Sequence, residues 1–165
     1  MELYIVRHAI AETRDPARWP GDRDRPLTPA GEARFRKVAR VIGKRSEAPE
    51  HVFSSPLARA WRTAELLTEE ASWPAPEPWG DLEPDRPAEA AAESLRTHAT
   101  ATAISVVGHE PGLSELASYL LGGRGDAIAI QLKKGGVIAL DVGMFPEPGT
   151  ATLHWAVPPR LLRKS

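Results

Sequence analysis

Two short, largely apolar runs of the chain each end at a histidine. The first run, Met1–Val6, is followed directly by Arg7 and His8. The second run, Ala103–Val107, is followed one glycine later by His109. Aromatic and β-branched residues in such runs are typical of buried strands. Because sites in open parallel sheets lie at the carboxyl ends of the strands, we expect the two histidines to share one site.

Between and after these strands the residue pattern alternates between helix and strand. Thr28-Pro29 and Ser55-Pro56 each combine a capping residue with an early proline, which predicts the start of a helix. A short strand is predicted at Val52-Phe53, and a proline-rich loop at 72–87. Two further helices are predicted at about Pro87–Ala99 and at Leu113–Leu121, the latter ended by a glycine pair.

The end of the chain is richer in strand patterns. Alternating or β-branched residues predict strands at Ala127–Leu132, Val137–Val142 and Thr152–Val157. Strands that alternate with helices indicate an α/β three-layer sandwich, with a mostly parallel central sheet and helices on both faces. No linker composition divides the sequence, so we expect residues 1–165 to form a single domain.

Composition excludes several classes of protein. The chain has no cysteine, so disulfides, thiolate zinc sites and thiol nucleophiles are impossible. The formal net charge of −1 argues against a nucleic-acid partner. No apolar run is long enough to cross a bilayer, and no basic leader precedes the first strand. We therefore expect a cytoplasmic protein without a membrane partner.

Three arginines and two histidines lie where the predicted strands end or the predicted helices begin: Arg7, Arg25, Arg59, His8 and His109. Arginine presents a planar set of donors that matches phosphoryl oxygens. Neutral imidazole is a competent nucleophile near neutral pH. These residue types together predict a cationic pocket for a phosphoryl group, with no metal ion and no cofactor.

Four segments occur in a fixed order along the chain. They are Arg7–Ala9, Arg25–Gly31, Ser54–Ala60 with Thr63-Ala64 three residues on, and Val107–Pro111. In sequence and order they resemble the motifs of the histidine phosphatase superfamily, whose fold is phosphoglycerate mutase-like. Within that superfamily the chain is most similar to the short bacterial phosphohistidine phosphatases.

The resemblance implies a role for each matching residue. His8 would be the nucleophile that becomes phosphorylated, and Arg7 and Arg59 would hold the phosphoryl group. His109 would be the second imidazole in contact with that group. Arg25 occupies the position of an arginine that can also face the phosphate, although a salt bridge within its own loop is an equally good interpretation.

The chain departs from the superfamily pattern at the proton donor. Larger members carry a carboxylate in the middle loop, where this sequence has Pro84. Asp81 and Glu83 are near enough to be candidate donors. An alkoxide leaving group needs a positioned acid, whereas the imidazole of phosphohistidine leaves with less help. The missing acid therefore favours cleavage of an N–P bond.

Other residues have simpler interpretations. Ser55 is expected to cap a helix, and Arg62 to be structural. Glu110 lacks the partner spacing of a metal site. Asp22 lies in an acidic pair without the preceding hydrophobic strand of an aspartyl phosphatase, so we expect a solvated rim there. Ala9 replaces the usual glycine of the first motif, which is compatible with activity if its φ is negative.

The sequence thus predicts an enzyme that hydrolyses protein phosphohistidine through a phospho-His8 intermediate. Its partner would be a phosphohistidine-containing protein, such as a histidine phosphotransfer domain, or a small phosphorylated metabolite. Two alternatives remain open. One is a phosphatase for small esters such as sugar or nucleotide phosphates, and the other is a non-catalytic phosphate-binding module.

Overall fold

Strands alternate with helices through the first three quarters of the chain, and two strands then follow in succession. The computed structural model describes residues 1–162. Its strands are β1 Glu2–Arg7, β2 His51–Ser54, β3 Pro76–Pro78, β4 Ala103–Gly108, β5 Val137–Asp141 and β6 Thr152–Val157. Its α-helices are α1 Pro29–Arg45, α2 Ala58–Ala71, α3 Ala88–Arg96, α4 Gly112–Gly122 and α5 Pro159–Leu162, and a 3₁₀ turn spans Gly80–Leu82.

The six strands form one sheet in the order β3-β2-β4-β1-β5-β6. The four strands from β3 to β1 are parallel to one another. At the edge beyond β1, β5 pairs antiparallel with β1, and β6 pairs antiparallel with β5. The register pairs Arg7 of β1 with Gly108 of β4. The residues that follow these two, His8 and His109, therefore leave the sheet side by side at its carboxyl edge.

Alternation along β1 divides the core into two layers. Leu3 and Ile5 are buried in a cluster with residues of α3 and α4 on one face. Tyr4 and Val6 are buried with residues of α1 and α2 on the other face. Successive side chains of a strand point to opposite faces, so one strand contributes to both clusters. The predicted three-layer α/β sandwich with a mostly parallel sheet is confirmed.

The prediction of a strand at Ala127–Leu132 is wrong. Both edges of β1 are occupied by β4 and β5, and β6 covers the outer edge of β5. The segment instead runs beside α4, where a side chain added at Gly122 would meet the Cβ atom of Ala127 at 2.7 Å. Leu132 ends the segment in the core. The segment therefore packs beside a helix and pairs with neither edge strand of the sheet, β3 or β6.

The stretch 72–87, predicted as loop, contains a short strand and a 3₁₀ turn. β3 pairs in parallel with β2 at the edge of the sheet. Proline is tolerated on an edge strand because its missing N–H faces away from the ladder. The 3₁₀ turn buries Leu82 against the core. The prolines are the reason that the residue pattern predicts a loop here.

The helix starts were predicted with unequal success. Thr28 is the N-cap of α1, and its hydroxyl accepts a hydrogen bond from Gly31 N at 2.9 Å. In contrast, α2 begins at Ala58, three residues after the predicted cap at Ser55. The Ser55 hydroxyl accepts from Leu57 N at 3.3 Å in the turn that precedes the helix. Within residues 1–162, no helix has the length and apolar character needed to span a membrane.

Candidate active site

His8 lies directly after β1, buried to 6% exposure. Its Nδ1 is 2.7 Å from the carbonyl oxygen of Ala9. A carbonyl oxygen only accepts, so Nδ1 carries the proton and Nε2 keeps its lone pair. The backbone contact therefore selects the tautomer in which Nε2 can act as a nucleophile.

Burial and positive neighbours keep the His8 ring neutral. Desolvation, reinforced by the charges of Arg59, Arg7 and Lys134, lowers the pKa of His8 to about 3. The hydrogen bond to the Ala9 carbonyl opposes this shift but does not cancel it. At neutral pH the imidazole is unprotonated, as a nucleophile must be.

His109 follows β4, and its ring centroid lies 5.1 Å from that of His8 at an interplanar angle of 54°. Its Nε2 is 2.9 Å from the hydroxyl of Ser55, which links β4 to the turn before α2. Desolvation, followed by the proximity of His8 and Arg59, lowers the pKa of His109 to about 2. The Nδ1 atom is buried without a hydrogen-bond partner.

Arg59 lies in the first turn of α2 and is only 4% exposed. Its Nη1 donates to the backbone oxygen of Asp22 at 2.9 Å, and its Nη2 lies 3.1 Å from the Asp22 carboxylate. Arg7 donates from Nη1 to the carbonyl of Leu132 at 2.8 Å. Burial lowers the pKa of both arginines. In each, Nε is buried and has no partner.

The unpartnered polar atoms of the residues around His8 are all nitrogen atoms. Among residues 1–162, the buried side-chain polar atoms without a partner include Nε of Arg7, Nε of Arg59 and Nδ1 of His109. A buried donor without a partner typically costs about 1–3 kcal/mol, so such a group is not retained for stability. Two cationic donors and an imidazole nitrogen beside a nucleophilic nitrogen fit the oxygens of a tetrahedral anion.

The turn after β1 is held by the helix that carries Arg59. The backbone N–H of Ala9 donates to the Thr63 hydroxyl at 3.0 Å, and that hydroxyl donates to the Arg59 carbonyl at 2.7 Å. Positive φ occurs at only three non-glycine residues of the range 1–162, and Ala9 is not among them. Alanine therefore fits the position where the superfamily usually has glycine, as the sequence predicted.

Arg25 makes contacts within its own loop. Its Nε donates to Asp22 Oδ1 at 2.6 Å, and its Nη1 donates to the carbonyl of Glu12 at 2.7 Å. Of the two interpretations of Arg25, the structure therefore contains the salt bridge within its own loop. The charge of Arg25 still contributes to the lowered pKa of His109 and of Arg59, which places it at the border of the pocket.

The two candidate proton donors are both engaged elsewhere. Asp81 accepts a hydrogen bond from the Ser94 hydroxyl at 2.7 Å. Glu83 forms an ion pair with Arg23 at 2.8 Å. Both line a small cavity that also borders His109. The structure therefore places them beside the site, with their carboxylates paired to other side chains.

Glu110, which the sequence suggested only as an unsupported metal ligand, lines the same small cavity. Its carboxylate accepts hydrogen bonds from the backbone N–H and the hydroxyl of Ser114 in the first turn of α4. Burial raises its pKa above the usual value for glutamate, although Ser114 and Arg7 act in the opposite direction. Among residues 1–162, no three His, Asp or Glu side chains are grouped to hold a metal ion.

The sequence predicts a solvated rim at Asp22, without its contacts to the arginines, and does not single out Lys134. Asp22 is the carboxylate that joins Arg25 and Arg59, and its position three residues before Arg25 was the available signal. Lys134 lies in the loop before β5, and its charge helps to lower the pKa of His8. Nothing in the local sequence of Lys134 indicates that it lies near His8. The two residues belong to segments far apart in the chain, as the hydrogen bond between Arg7 and Leu132, 125 residues apart, also shows.

Comparison with known sequences identifies the family. Residues 3–83 match the family model of the histidine phosphatase superfamily (branch 1). An uncharacterized protein of Picosynechococcus sp. is 37% identical over 145 residues, which cover 87% of this chain and 86% of that protein.

Comparison with solved structures identifies the same fold. The protein histidine phosphatase SixA, solved in complex with tungstate, has a TM-score of 0.85 at 23% identity, over 98% of this chain and 99% of that chain. The alpha-ribazole phosphatase from Shigella flexneri has a TM-score of 0.73 at 18% identity, over 96% and 97% of the two chains. At these identities the likeness concerns the fold alone. Sequence and fold agree that the chain belongs to the histidine phosphatase superfamily.

Proposed function

We propose that the protein is a metal-independent phosphatase that hydrolyses protein phosphohistidine through a phospho-His8 intermediate. The observation that carries the proposal is the arrangement of nitrogens at the pocket. Nε2 of His8 has a lone pair, because Nδ1 donates to the Ala9 carbonyl. Around it, the buried Nε atoms of Arg7 and Arg59 and Nδ1 of His109 have no protein partner.

The reaction would proceed in two displacements at phosphorus. First, the lone pair of His8 Nε2 forms a bond to phosphorus while the bond to the leaving nitrogen breaks. The leaving ring carries a proton on its other nitrogen, so it keeps the electron pair and departs as neutral imidazole. Second, a water oxygen attacks phosphorus, the N–P bond to His8 breaks, and its electron pair returns to Nε2. Inorganic phosphate leaves, and the surplus proton of the water passes to phosphate or solvent.

The two arginines would act on the charge of the phosphoryl group. Their guanidinium donors are buried, and a fixed donor in such a place stabilises developing charge without reorganisation. Removal of one such donor typically costs about 10²–10³-fold in rate. We expect Arg59→Ala to lower kcat/KM by this amount.

The engaged carboxylates support phosphohistidine over phosphate esters. Asp81 is paired with Ser94, and Glu83 with Arg23, so neither resembles a poised acid. In the protein without a bound anion, burial lowers the pKa of His109 to about 2, so its ring is neutral there at neutral pH. Expulsion of an alkoxide would require a proton donor, whereas an imidazole leaves more readily. The fold likeness to a protein histidine phosphatase is consistent with this choice.

A phosphatase for small esters is the second candidate. The observation in its favour is the fold likeness to alpha-ribazole phosphatase, together with the raised pKa of Glu110 beside His109. Turnover of a phosphohistidine protein and of a panel of sugar and nucleotide phosphates would distinguish the two. Higher kcat/KM for an ester would overturn the phosphohistidine assignment.

The decisive experiment is to trap the phosphoenzyme. Brief incubation with a ³²P-labelled phosphohistidine protein should leave acid-labile, base-stable label on the wild type and none on His8→Ala. His154→Ala, which alters an exposed histidine of β6, is the matched control and should label normally. EDTA should change neither labelling nor turnover.

Two results would contradict the proposal. Label that persists on His8→Ala would mean that another residue is the nucleophile. Phosphate binding without label or turnover, for any donor tested, would indicate the non-catalytic module.

A further inference from the structure

Asp22 connects two arginines at the border of the pocket. Its Oδ1 accepts from Arg25 Nε at 2.6 Å, and its Oδ2 accepts from Arg25 Nη2 at 3.2 Å and lies 3.1 Å from Arg59 Nη2. Its backbone oxygen also accepts from Arg59 Nη1 at 2.9 Å. One residue of the long loop between β1 and α1 thus contacts both terminal nitrogens of Arg59.

These contacts leave Nε as the one nitrogen of Arg59 without a partner. Nη1 and Nη2 are directed to Asp22, while Nε is buried and has no partner. A guanidinium is planar, so contacts at both terminal nitrogens also determine the direction of Nε–H. The geometry of the phosphoryl pocket therefore depends on a loop residue 37 positions away from Arg59.

Asp22 is not suited to carry a proton. Hydrogen bonds from Arg25, reinforced by the charge of Arg59, hold the pKa of Asp22 below its ordinary value. Both carboxylate oxygens are already engaged. A proton donor or acceptor in the reaction needs the opposite properties.

The backbone of Asp22 has a conformation that few residue types adopt readily. Its φ is +65°, in the left-handed region that aspartate tolerates better than most residues. Asp24, two residues later, is exposed. The structure thus distinguishes one carboxylate of this acidic pair from the other.

We propose that Asp22 is a positioning residue of the phosphoryl site, which holds the Arg59 guanidinium so that Nε–H is presented to the phosphoryl group. Asp22 stays in place during catalysis and acts through Arg59. The inference rests on the proposed function for the identity of the substrate, but not for the binding of an oxyanion.

The test uses two variants that separate the carboxylate from the backbone. Asp22→Gly accepts the positive φ and removes the side chain. Asp22→Asn keeps the shape and one acceptor but removes the charge. Asp24→Asn is the matched control. The readouts are the dissociation constant of tungstate, a tetrahedral oxyanion probe, and kcat and KM with the phosphohistidine protein.

We expect Asp22→Gly to weaken tungstate binding about 10-fold and to lower kcat about 10–10²-fold, which is less than the loss of about 10²–10³-fold for complete removal of a donor, because Arg59 itself remains. Asp22→Asn should lie between Asp22→Gly and the wild type, and Asp24→Asn should match the wild type. In an Arg59→Ala background, Asp22→Gly should have little further effect, because residues that act through one another are not additive. A loss through loop stability alone would add to that of Arg59→Ala.

Tighter tungstate binding by Asp22→Gly would overturn the inference, since it would show that Asp22 competes with the anion for Arg59. Unchanged tungstate binding, or full additivity with Arg59→Ala, would overturn it as well. Tungstate binding needs no turnover, so these outcomes are independent of the phosphoenzyme experiment.

Discussion

At the scale of single residues, the two histidines are buried in a neutral form. His8 and His109 are each 6% exposed, and their rings are 5.1 Å apart between centroids. Desolvation is the largest cause of the lowered pKa of each ring, and nearby arginines add to it. A nucleophile that remains unprotonated suits catalysis, but it makes the folded protein sensitive to acid.

We expect acid to destabilise the wild type through these histidines. The pKa of His8 is about 3 in the folded protein, against an ordinary value of 6.5. Between these two values the unfolded chain binds more protons than the native protein, so stability falls as the pH falls from 6.5. Each such group contributes a slope of at most about 1.4 kcal/mol per pH unit.

Urea unfolding at about pH 7 and about pH 5 measures this linkage. The double variant His8→Asn/His109→Asn should lose less stability between the two pH values than the wild type, whatever its stability at neutral pH. His154→Asn, which alters an exposed histidine, should follow the wild type. An equal loss in the double variant would show that other groups carry the acid sensitivity.

At the scale of elements, α1 and α2 are joined by a close backbone approach and by ion pairs. Arg62 of α2 pairs with Glu32 of α1 at 3.1 Å, and Arg36 of α1 pairs with Glu70 of α2 at 2.6 Å. The expectation that Arg62 has a structural role agrees with these ion pairs. Near the other end, a side chain at Gly43 would meet Ala71 Cα at 2.6 Å.

Gly43→Ala should therefore destabilise the protein. Alanine gains about 1 kcal/mol over glycine in helix propensity, but the clash with a backbone atom outweighs this gain. We expect the free energy of unfolding to fall by about 1–2 kcal/mol, as measured by chemical denaturation. The control is Gly112→Ala in α4, where the nearest atom would be 3.9 Å away. A more stable Gly43→Ala protein would contradict the predicted close approach.

At the scale of the whole molecule, the cationic pocket links folding to anion binding. The unpartnered nitrogens of Arg7, Arg59 and His109 come together only when β1, α2 and β4 are assembled. An anion that binds there binds the native state and not the unfolded chain. It must therefore stabilise the whole domain.

Tungstate should raise the melting temperature of the wild type. At a concentration of 100 times its dissociation constant, the stabilisation should be about 2.7 kcal/mol. Arg59→Ala should lose most of this effect, and Lys37→Ala, at an exposed position of α1, should retain it. Calorimetry with and without tungstate measures the difference. An equal rise in Arg59→Ala would place the anion elsewhere.

Local residue patterns predict most of the fold, because most helices and strands begin and end at local signals. The cap at Thr28 marks the start of α1, and the glycine pair at 122–123 marks the end of α4. The residue pattern of Ala127–Leu132 suits a strand, but the segment packs beside α4 and joins no strand of the sheet. Whether such a run pairs with a strand or packs against a helix depends on tertiary contacts, which no local pattern contains.

The sequence by itself determined the chemical groups of the site and their approximate meeting point. A buried strand that ends at His8, and another that ends near His109, must bring both rings to one edge of a parallel sheet. Tertiary structure decided the state of those groups. The tautomer of His8, the lowered pKa of both rings and the orientation of Arg59 by Asp22 all depend on burial and on contacts between distant segments. Desolvation and hydrogen bonding arise only when the layers pack, so no residue pattern contains them.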